Sequence, residues 1–443
     1  MEKYLLKYLY DQSSNPKERR FIDYFKIDLD NRLYSYGMHN SWNAELEVAK
    51  QERIMLNNRK KGCKFFHPRR WYRNFKKWIL SKSIMKNAKP INGDTYKYKV
   101  LSLIDVPATT IDEFNKAGIG VDICQEIALP QALKDAFRVA SFNQLLRQDN
   151  YDILDDFYNE TVEKIRNSDY DAVIVRSSEP MECKLYIDVF REIGRPSITM
   201  LHGLPGIYTL TAESREDYLM VWGEEIRKNF IKIGCDAERV IVAGNIKYAY
   251  INKNTTLRNT LDDVLVLTTA TFYTNQHEWE WEKFPIQDRN LLITYLYSVE
   301  HILKNRGIQK ARLRPHPSVN KDWLASYVDM SFYEMDYEKN LSLSLQRATL
   351  CIGQVSSTML EAIMNGVSYL IYEPSDDGKH SMNNSLIVPP FDGTYPKIKV
   401  AKTEEELNEL LNSHYNMDSS ILDDWMIPFN AKKVLEVIEE NRL

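Results

Sequence analysis

The sequence predicts an α/β protein built of two doubly wound domains. Three observations carry this. Short β-branched runs alternate with longer amphipathic stretches from about residue 98 onward. The runs fall into two sets, separated by the polar stretch NKNTTLRNTLDD at 252–263, which reads as a linker. At 443 residues the chain also exceeds one ordinary core.

The first 96 residues follow another pattern and are expected to form a basic, mostly helical N-terminal region, ahead of domains at 97–252 and 262–443. The whole chain is near neutral, with 58 Lys and Arg against 62 Asp and Glu. That excludes a protein coating nucleic acid over its whole surface, so no nucleic-acid partner is expected. The charge is nevertheless segregated. Residues 53–93 hold thirteen basic residues and no acid, interleaved with Phe65, Phe66, Trp71, Tyr72, Phe75 and Trp78. On a helix, Trp71, Phe75, Trp78 and Ile79 form one apolar stripe. Such a stripe among basic groups suits an anionic lipid surface, each Lys or Arg contributing about 1 kcal/mol near the headgroups. Packing of the stripe on the protein's own core accounts for it equally well. No apolar run reaches the roughly 18–20 residues of a membrane span. The N-terminus MEKYLLKYLYDQ lacks the apolar stretch of a secretory signal. The expected location is therefore cytoplasmic, with peripheral contact through 53–93 to anionic lipid of the inner membrane face. Cysteines 63, 124, 183, 235 and 351 show no CxxC or Cys/His spacing. Reduced thiols are expected, with no zinc site and no disulfide framework.

In chain order, the first set of strands is expected at 98–104 (YKVLSLI), 172–175 (AVIV), 197–201 (SITML), 218–222 (YLMVW) and 240–243 (VIVA). The second set is 264–267 (VLVL), 311–313, 350–352 and 369–372. Helices are expected at 151–166, 185–193, 224–233, 291–304, 357–365, 404–411 and 431–441. Strands alternating with helices imply parallel sheets, whose ligands bind outside the C-terminal strand ends.

Three clusters stand at such exits. After LCI comes GQVSSTMLEAIMNG (353–366), with Ser356, Ser357 and Thr358 where a helix begins. Their hydroxyls and the exposed backbone N–H groups suit a phosphate, and Glu361, one turn later, suits a ribose hydroxyl. An ordinary Ser/Thr cap with Glu361 as its capping-box partner explains the same residues. The second cluster is RLRPHPS (312–318), where flanking prolines fix His316 at a strand exit. Arg314 and His316 can together neutralise a phosphate. The third is LHGLPG (201–206), in which His202 is a candidate base toward a hydroxyl. Glu179, in RSSE after AVIV, is its rival, and the residues leave that choice open.

The segments SITMLHGLPG, DYLMVWGEEIRKNFIKIGCDAERVIVAGN, RLRPHPS and GQVSSTMLEAIMNGVSYLIYEP together resemble GT-B glycosyltransferases of bacterial surface polysaccharide (capsule and lipopolysaccharide) synthesis. The resemblance covers about 199–248 and 310–374. It implies two Rossmann-like domains facing a cleft. The His-Pro and Ser-Ser pairing is similar to transferases using CMP-activated Kdo or sialic acid. There the histidine and serines hold the CMP phosphate, which would assign that role to His316, Ser356 and Ser357. The His-Gly turn with a later histidine and Ser-Ser-Thr also resembles CDP-glycerol glycerophosphotransferases, in which two histidines act at the transfer step. The sequence departs from these patterns at Ser368, where many GT-B proteins carry Pro. It also lacks an acid-acid-Gly triplet in the first domain; Asp376-Asp377-Gly378 lies after the nucleotide motif.

The resemblance implies a glycosyltransferase that moves Kdo or a related acidic sugar from a CMP donor to a glycan or glycolipid acceptor. Arg314, His316, Ser356, Ser357, Thr358 and Glu361 would hold the nucleotide, and His202 or Glu179 would act on the acceptor. No DxD motif is placed to hold a cation, so a metal-independent reaction without cofactor is expected. The alternatives are a CDP-polyol phosphotransferase of teichoic-acid-like synthesis, a non-enzymatic membrane-associated assembly protein and, more distantly, a sugar epimerase.

Overall fold

A computed structural model describes residues 2–26, 28–29, 96–124, 129–140, 142–177, 180–206, 208, 215–252, 256–269, 289–317, 319, 321–382 and 386–441. The basic segment 53–93, with Trp71 and Trp78, and the candidate base Glu179 lie outside these residues. Among the described residues, no helix is long and apolar enough to cross a membrane.

Among the described residues, twelve strands form two six-stranded sheets. The first is ordered β2-β1-β3-β4-β5-β6: β1 (Tyr98–Ser102), β2 (Ile119–Ile123), β3 (Ala172–Val175), β4 (Ser197–Met200), β5 (Tyr218–Val221) and β6 (Val240–Val242). The second is ordered β12-β11-β10-β7-β8-β9: β7 (Val264–Leu267), β8 (Ala311–Arg314), β9 (Tyr333–Met335), β10 (Leu350–Gly353), β11 (Tyr369–Tyr372) and β12 (Val400–Ala401). The strands pair in parallel, Val100 lying opposite both Val121 and Ala172, and Cys351 opposite both Leu265 and Tyr369. Central strands such as Ala172–Val175 and Val264–Leu267 are buried along their whole length. Unbroken apolar runs of this kind belong in a sheet covered on both faces. The α/β, doubly wound expectation is thereby met.

Three strands went unpredicted: β2, β9 and β12. Each is the outermost strand of its sheet. Edge strands are short or carry charge, so they lack the apolar run that betrays a central strand. In β2 the sequence IGVDI places Asp122 in a buried position, where Lys99 Nζ reaches it at 3.0 Å and the Tyr170 hydroxyl at 2.8 Å.

The chain divides into two compact units. Unit 1 comprises residues 1–200, 212–220 and 430–443; unit 2 comprises 201–211 and 221–429. The division differs from the expected domain boundaries at both chain ends. The helices Glu2–Gln12 and Pro16–Tyr24 belong to the core of unit 1: Leu6, Phe21, Ile22, Phe25 and Leu29 are buried with Leu154, Tyr158 and Phe190. Asn15 caps the second of these helices by accepting from the Lys17 N–H, and Pro16 opens its first turn. The final helix, Lys432–Glu440, is likewise part of unit 1. Glu439 accepts from Lys97 Nζ (2.9 Å) and the Tyr98 hydroxyl (3.1 Å).

A buried ionic cluster fastens the helix Pro16–Tyr24 to unit 1. Lys184, 1% exposed, donates to the Asp23 carbonyl at 2.7 Å and lies 3.6 Å from its carboxylate. Arg215 pairs with Asp23 and, at 2.7 Å, with Asp188, which also accepts from the Tyr24 hydroxyl at 2.8 Å. Burial pushes the Asp188 carboxyl above its ordinary value, against the pull of the surrounding cations. The four described cysteines form no disulfide. Burial raises the thiol of Cys183 to about 11 and that of Cys351 to about 12, which leaves both unreactive.

In unit 2, Arg258 spans three backbone carbonyls, those of Ala348, Leu345 and Asn365, at 2.9, 3.1 and 3.0 Å. The second half of the expected linker is therefore built into the domain. Residues 421–429 pack on the chain around β6, and Gly244 marks the tightest approach. Its φ is +81°, and an added Cβ would stand 2.1 Å from the Pro428 carbonyl oxygen.

Two stability predictions follow from these contacts. Asp23→Ala removes the carboxylate shared by Lys184 and Arg215 and should cost about 3 kcal/mol, whereas Lys184→Met removes the buried charge itself and should cost far less. Urea unfolding distinguishes the two, and equal losses would contradict the cluster's role. Gly244→Ala should cost about 2 kcal/mol or more, because backbone strain adds to the clash. Gly307→Ala, at φ +80° with no atom within 4 Å, should show only the strain, about 1 kcal/mol in the same assay.

Candidate functional site at the reversal of strand order

From its centre the second sheet runs outward in two directions, β7-β8-β9 one way and β10-β11-β12 the other. The order reverses between β7 and β10. There the connections leave on opposite faces and open a crevice at the strand ends. The crevice is bordered by Thr268 and Thr269 after β7 and by Gln354 to Thr358 after β10.

Side chains tie these exits together. The Gln354 side-chain oxygen accepts from both the backbone N–H and the hydroxyl of Thr269, each at 2.9 Å. The Gln354 backbone carbonyl accepts from the Tyr369 hydroxyl at 2.8 Å. Glu373, 2% exposed, accepts from the Val355 N–H at 3.0 Å and from the Met382 N–H at 2.9 Å. Burial raises its carboxyl above the ordinary value, and the two N–H donors oppose that rise. Sequence reasoning missed Thr268, Thr269, Gln354 and Glu373. The available signal was a polar residue directly following a buried apolar strand, as Gln354 follows LCIG.

The turn delivers three hydroxyls. Ser356 Oγ accepts from the Thr358 N–H at 3.2 Å and donates to Thr358 Oγ1 at 3.1 Å. Ser357, the residue before the helix Thr358–Met364, makes no side-chain cap bond. The ordinary Ser/Thr cap is thus present at Ser356 rather than Ser357, while Glu361 is not its capping-box partner. Glu361 is engaged elsewhere, accepting from the Tyr248 hydroxyl. Burial raises the Glu361 carboxyl, while the Lys247 ammonium and the Tyr248 hydroxyl pull it back.

His316 leaves β8 beside this crevice, its backbone N–H donating to Thr268 Oγ1 at 3.2 Å. Burial lowers its imidazole below the ordinary 6.5, so the ring is neutral near pH 7. Arg314, expected on the phosphate, is instead bound into the domain: one guanidinium nitrogen donates to the Glu338 carbonyl and to Ser344 Oγ (3.0 Å), 3.7 Å from Asp336. His202 is exposed, two residues past β4, and the Leu201 carbonyl before it accepts from Trp222 Nε1 at 2.7 Å. The structure thus brings Ser356, Ser357, Thr358 and Glu361 to one turn, with His316 on the neighbouring exit.

A separate cavity of about 520 Å³ in unit 2 is lined by Tyr295, Ser298, His301, Tyr372, Met382 and Glu404, among others, and by none of the residues selected from sequence.

No protein-family model and no curated protein matches the chain. Among solved structures it is similar to a complex of S. aureus MnaA with UDP, at 10% identity over 77% of this chain and 96% of that one, with a TM-score of 0.49. It is also similar to a UDP-GlcNAc 2-epimerase from Neisseria meningitidis bound to UDP-GlcNAc (12% identity, 77% and 99% covered, TM-score 0.44). A third is the lipopolysaccharide outer core galactosyltransferase WaaB (10%, 77% and 98%, TM-score 0.43). None of these three reaches a TM-score of 0.5, and the fold class stands on the strand order itself.

Proposed function

We propose that this protein is a GT-B glycosyltransferase using a nucleotide-activated sugar, with CMP as the activating nucleotide and Kdo or a related acidic sugar as the transferred group. One observation supports the reading: the hydroxyls of Ser356, Ser357 and Thr358 follow β10 at the reversal of strand order, where α/β sheets hold their ligands, and His316 follows β8 on the far side of β7, bonded to Thr268.

In this reading the three hydroxyls and the imidazole of His316 surround the CMP phosphate. Glu361, oriented by Tyr248, keeps an acceptor oxygen for a ribose hydroxyl. As the acceptor hydroxyl attacks the anomeric carbon, the bond from that carbon to the phosphate oxygen breaks and the phosphate gains charge. Donors already in place stabilise that charge without rearranging. His202 or Glu179 takes the hydroxyl proton. The acceptor is a surface glycan or glycolipid, reached through peripheral contact of 53–93 with anionic inner-membrane lipid.

Calorimetric titration with CMP, CDP, UDP and GDP tests the assignment. CMP should bind most tightly, and His316→Ala should weaken it about tenfold. Because a bound phosphate favours the imidazolium, affinity should also rise as the pH falls through 6.5. In His316→Ala that rise should be lost, leaving only the opposing effect of the nucleotide's own protonation near pH 6. A preference for UDP would remove the CMP assignment. Binding of CDP with turnover that depends on His202 as well would move the reaction to polyol-phosphate transfer.

A further inference from the structure

β10 and β11 are paired with Gly353 opposite Ile371, which sets Val355 opposite Glu373 two pairs beyond the last ladder partners. Here the two chains diverge: the connection after β10 turns into the hydroxyl-bearing segment, and the chain after β11 continues past Pro374. A parallel ladder that stops leaves its next N–H without a carbonyl. At this position a side chain fills the gap. One Glu373 oxygen accepts from the Val355 N–H at 3.0 Å, and the other accepts from the Met382 N–H at 2.9 Å.

The opposite side of the same turn is held in a similar way. Gly353 pairs with Leu267 on β7, and Gln354 reaches across to the Thr269 N–H and hydroxyl just beyond. The Gln354 amide nitrogen in turn lies 3.2 Å from the Met382 sulfur, and the Gln354 side chain also hydrogen bonds to the Glu373 carboxylate. The turn is thus fixed from both neighbouring strands, on the β11 side by a buried carboxylate that faces inward.

We propose that Glu373 is a positioning residue for the nucleotide turn: by replacing the missing ladder acceptor it fixes Val355, and through Val355 the orientation of the Ser356, Ser357 and Thr358 hydroxyls. This rests on the nucleotide reading of that turn. Two converging N–H donors require an acceptor-only group with two oxygens. In Glu373→Gln, one N–H confronts an amide NH2, so a donor is left without a partner even though side-chain volume is unchanged.

The test uses the full chain and four proteins: wild type, Glu373→Gln, Ser357→Ala and Tyr372→Phe. The last removes a different buried hydroxyl, hydrogen bonded to Ser298 at 2.8 Å, and serves as a purely structural control. Amide hydrogen exchange is followed without nucleotide, and CMP affinity is measured by calorimetry. In Glu373→Gln, exchange should accelerate selectively at 355–358, and CMP affinity should fall about tenfold. Tyr372→Phe should lower the melting temperature while leaving both readouts as in wild type. Unchanged exchange at 355–358 in Glu373→Gln overturns the positioning role, whether or not nucleotide binds. Accelerated exchange with unaltered CMP affinity, while Ser357→Ala weakens binding, also overturns it but leaves the nucleotide reading intact. No CMP binding by wild type overturns the nucleotide reading and the positioning role with it. If Glu373→Gln does not fold, Gln354→Glu tests the other strand's hold on the turn. It keeps the acceptor for Thr269 but sets a second carboxylate beside Glu373, and it should accelerate exchange over the same four residues; unchanged exchange overturns the role.

Discussion

The Val355 N–H is where the parallel ladder of the second sheet ends, and much of the candidate site depends on how that N–H is satisfied. A strand entering a connection at the C-terminal edge of a sheet loses its partners one by one, and each lost partner is a buried donor in need of an acceptor. Water or a free loop would satisfy it without fixing the geometry. Glu373 and Gln354 satisfy these groups from inside the domain, with Tyr369 adding a third contact at the Gln354 carbonyl. The turn that follows is therefore held by buried groups. Its hydroxyls start from one arrangement, so a ligand loses less entropy in ordering them.

Much of the fold was legible because its central strands are continuous apolar runs. AVIV and VLVL coincide with β3 and β7, and YLIY coincides with β11. The strands that escaped, IGVDI, YEM and the two-residue pair at Val400–Ala401, lie at sheet edges, where pairing on one side suffices and apolar continuity is not required. The site was legible in the same uneven way. Ser356 to Thr358 and His316 stand out as hydroxyls and an imidazole at strand exits, and their position at the order reversal is a property of topology that the sequence implies only indirectly. Glu373 gave only the signal that Gln354 gave, a polar residue directly after an apolar strand. A Glu after an apolar strand ordinarily turns to solvent, and only the register between β10 and β11 directs it back to Val355.

Arg314 shows the same limit from the other direction. An arginine at a strand exit invites a phosphate, but β8 also carries Arg312 two residues earlier, on the same face of the strand. Arg312 is 7% exposed and paired with Asp263 at 2.6 Å and Asp336 at 3.1 Å. With Asp336 already buried between β8 and β9, the second guanidinium follows the first into the domain. Two basic residues on one strand face, answered by one buried acid, are a structural arrangement that residue type alone does not distinguish from an anion site.

Glu361 and Glu373, the two carboxylates nearest the candidate turn in sequence, present the sharpest electrostatic constraint on an anionic ligand. A phosphate placed beside two uncompensated carboxylates in a weakly solvated crevice would be repelled by several kcal/mol. The structure answers each charge separately. Glu373 spends both oxygens on backbone N–H groups and is also reached by the Gln354 side chain, so its field is opposed by the dipoles that bind it. Glu361 faces Lys247 and the Tyr248 hydroxyl, and burial disfavours its ionised form. What remains beside them is close to neutral: the Ser357 and Thr358 hydroxyls, Ser356 already donating to Thr358, and an imidazole that in the proposed function would gain a proton when an anion arrives. Under the nucleotide proposal, the charge that holds a phosphate would be supplied on binding rather than stored beforehand, with no standing excess of positive charge at the turn.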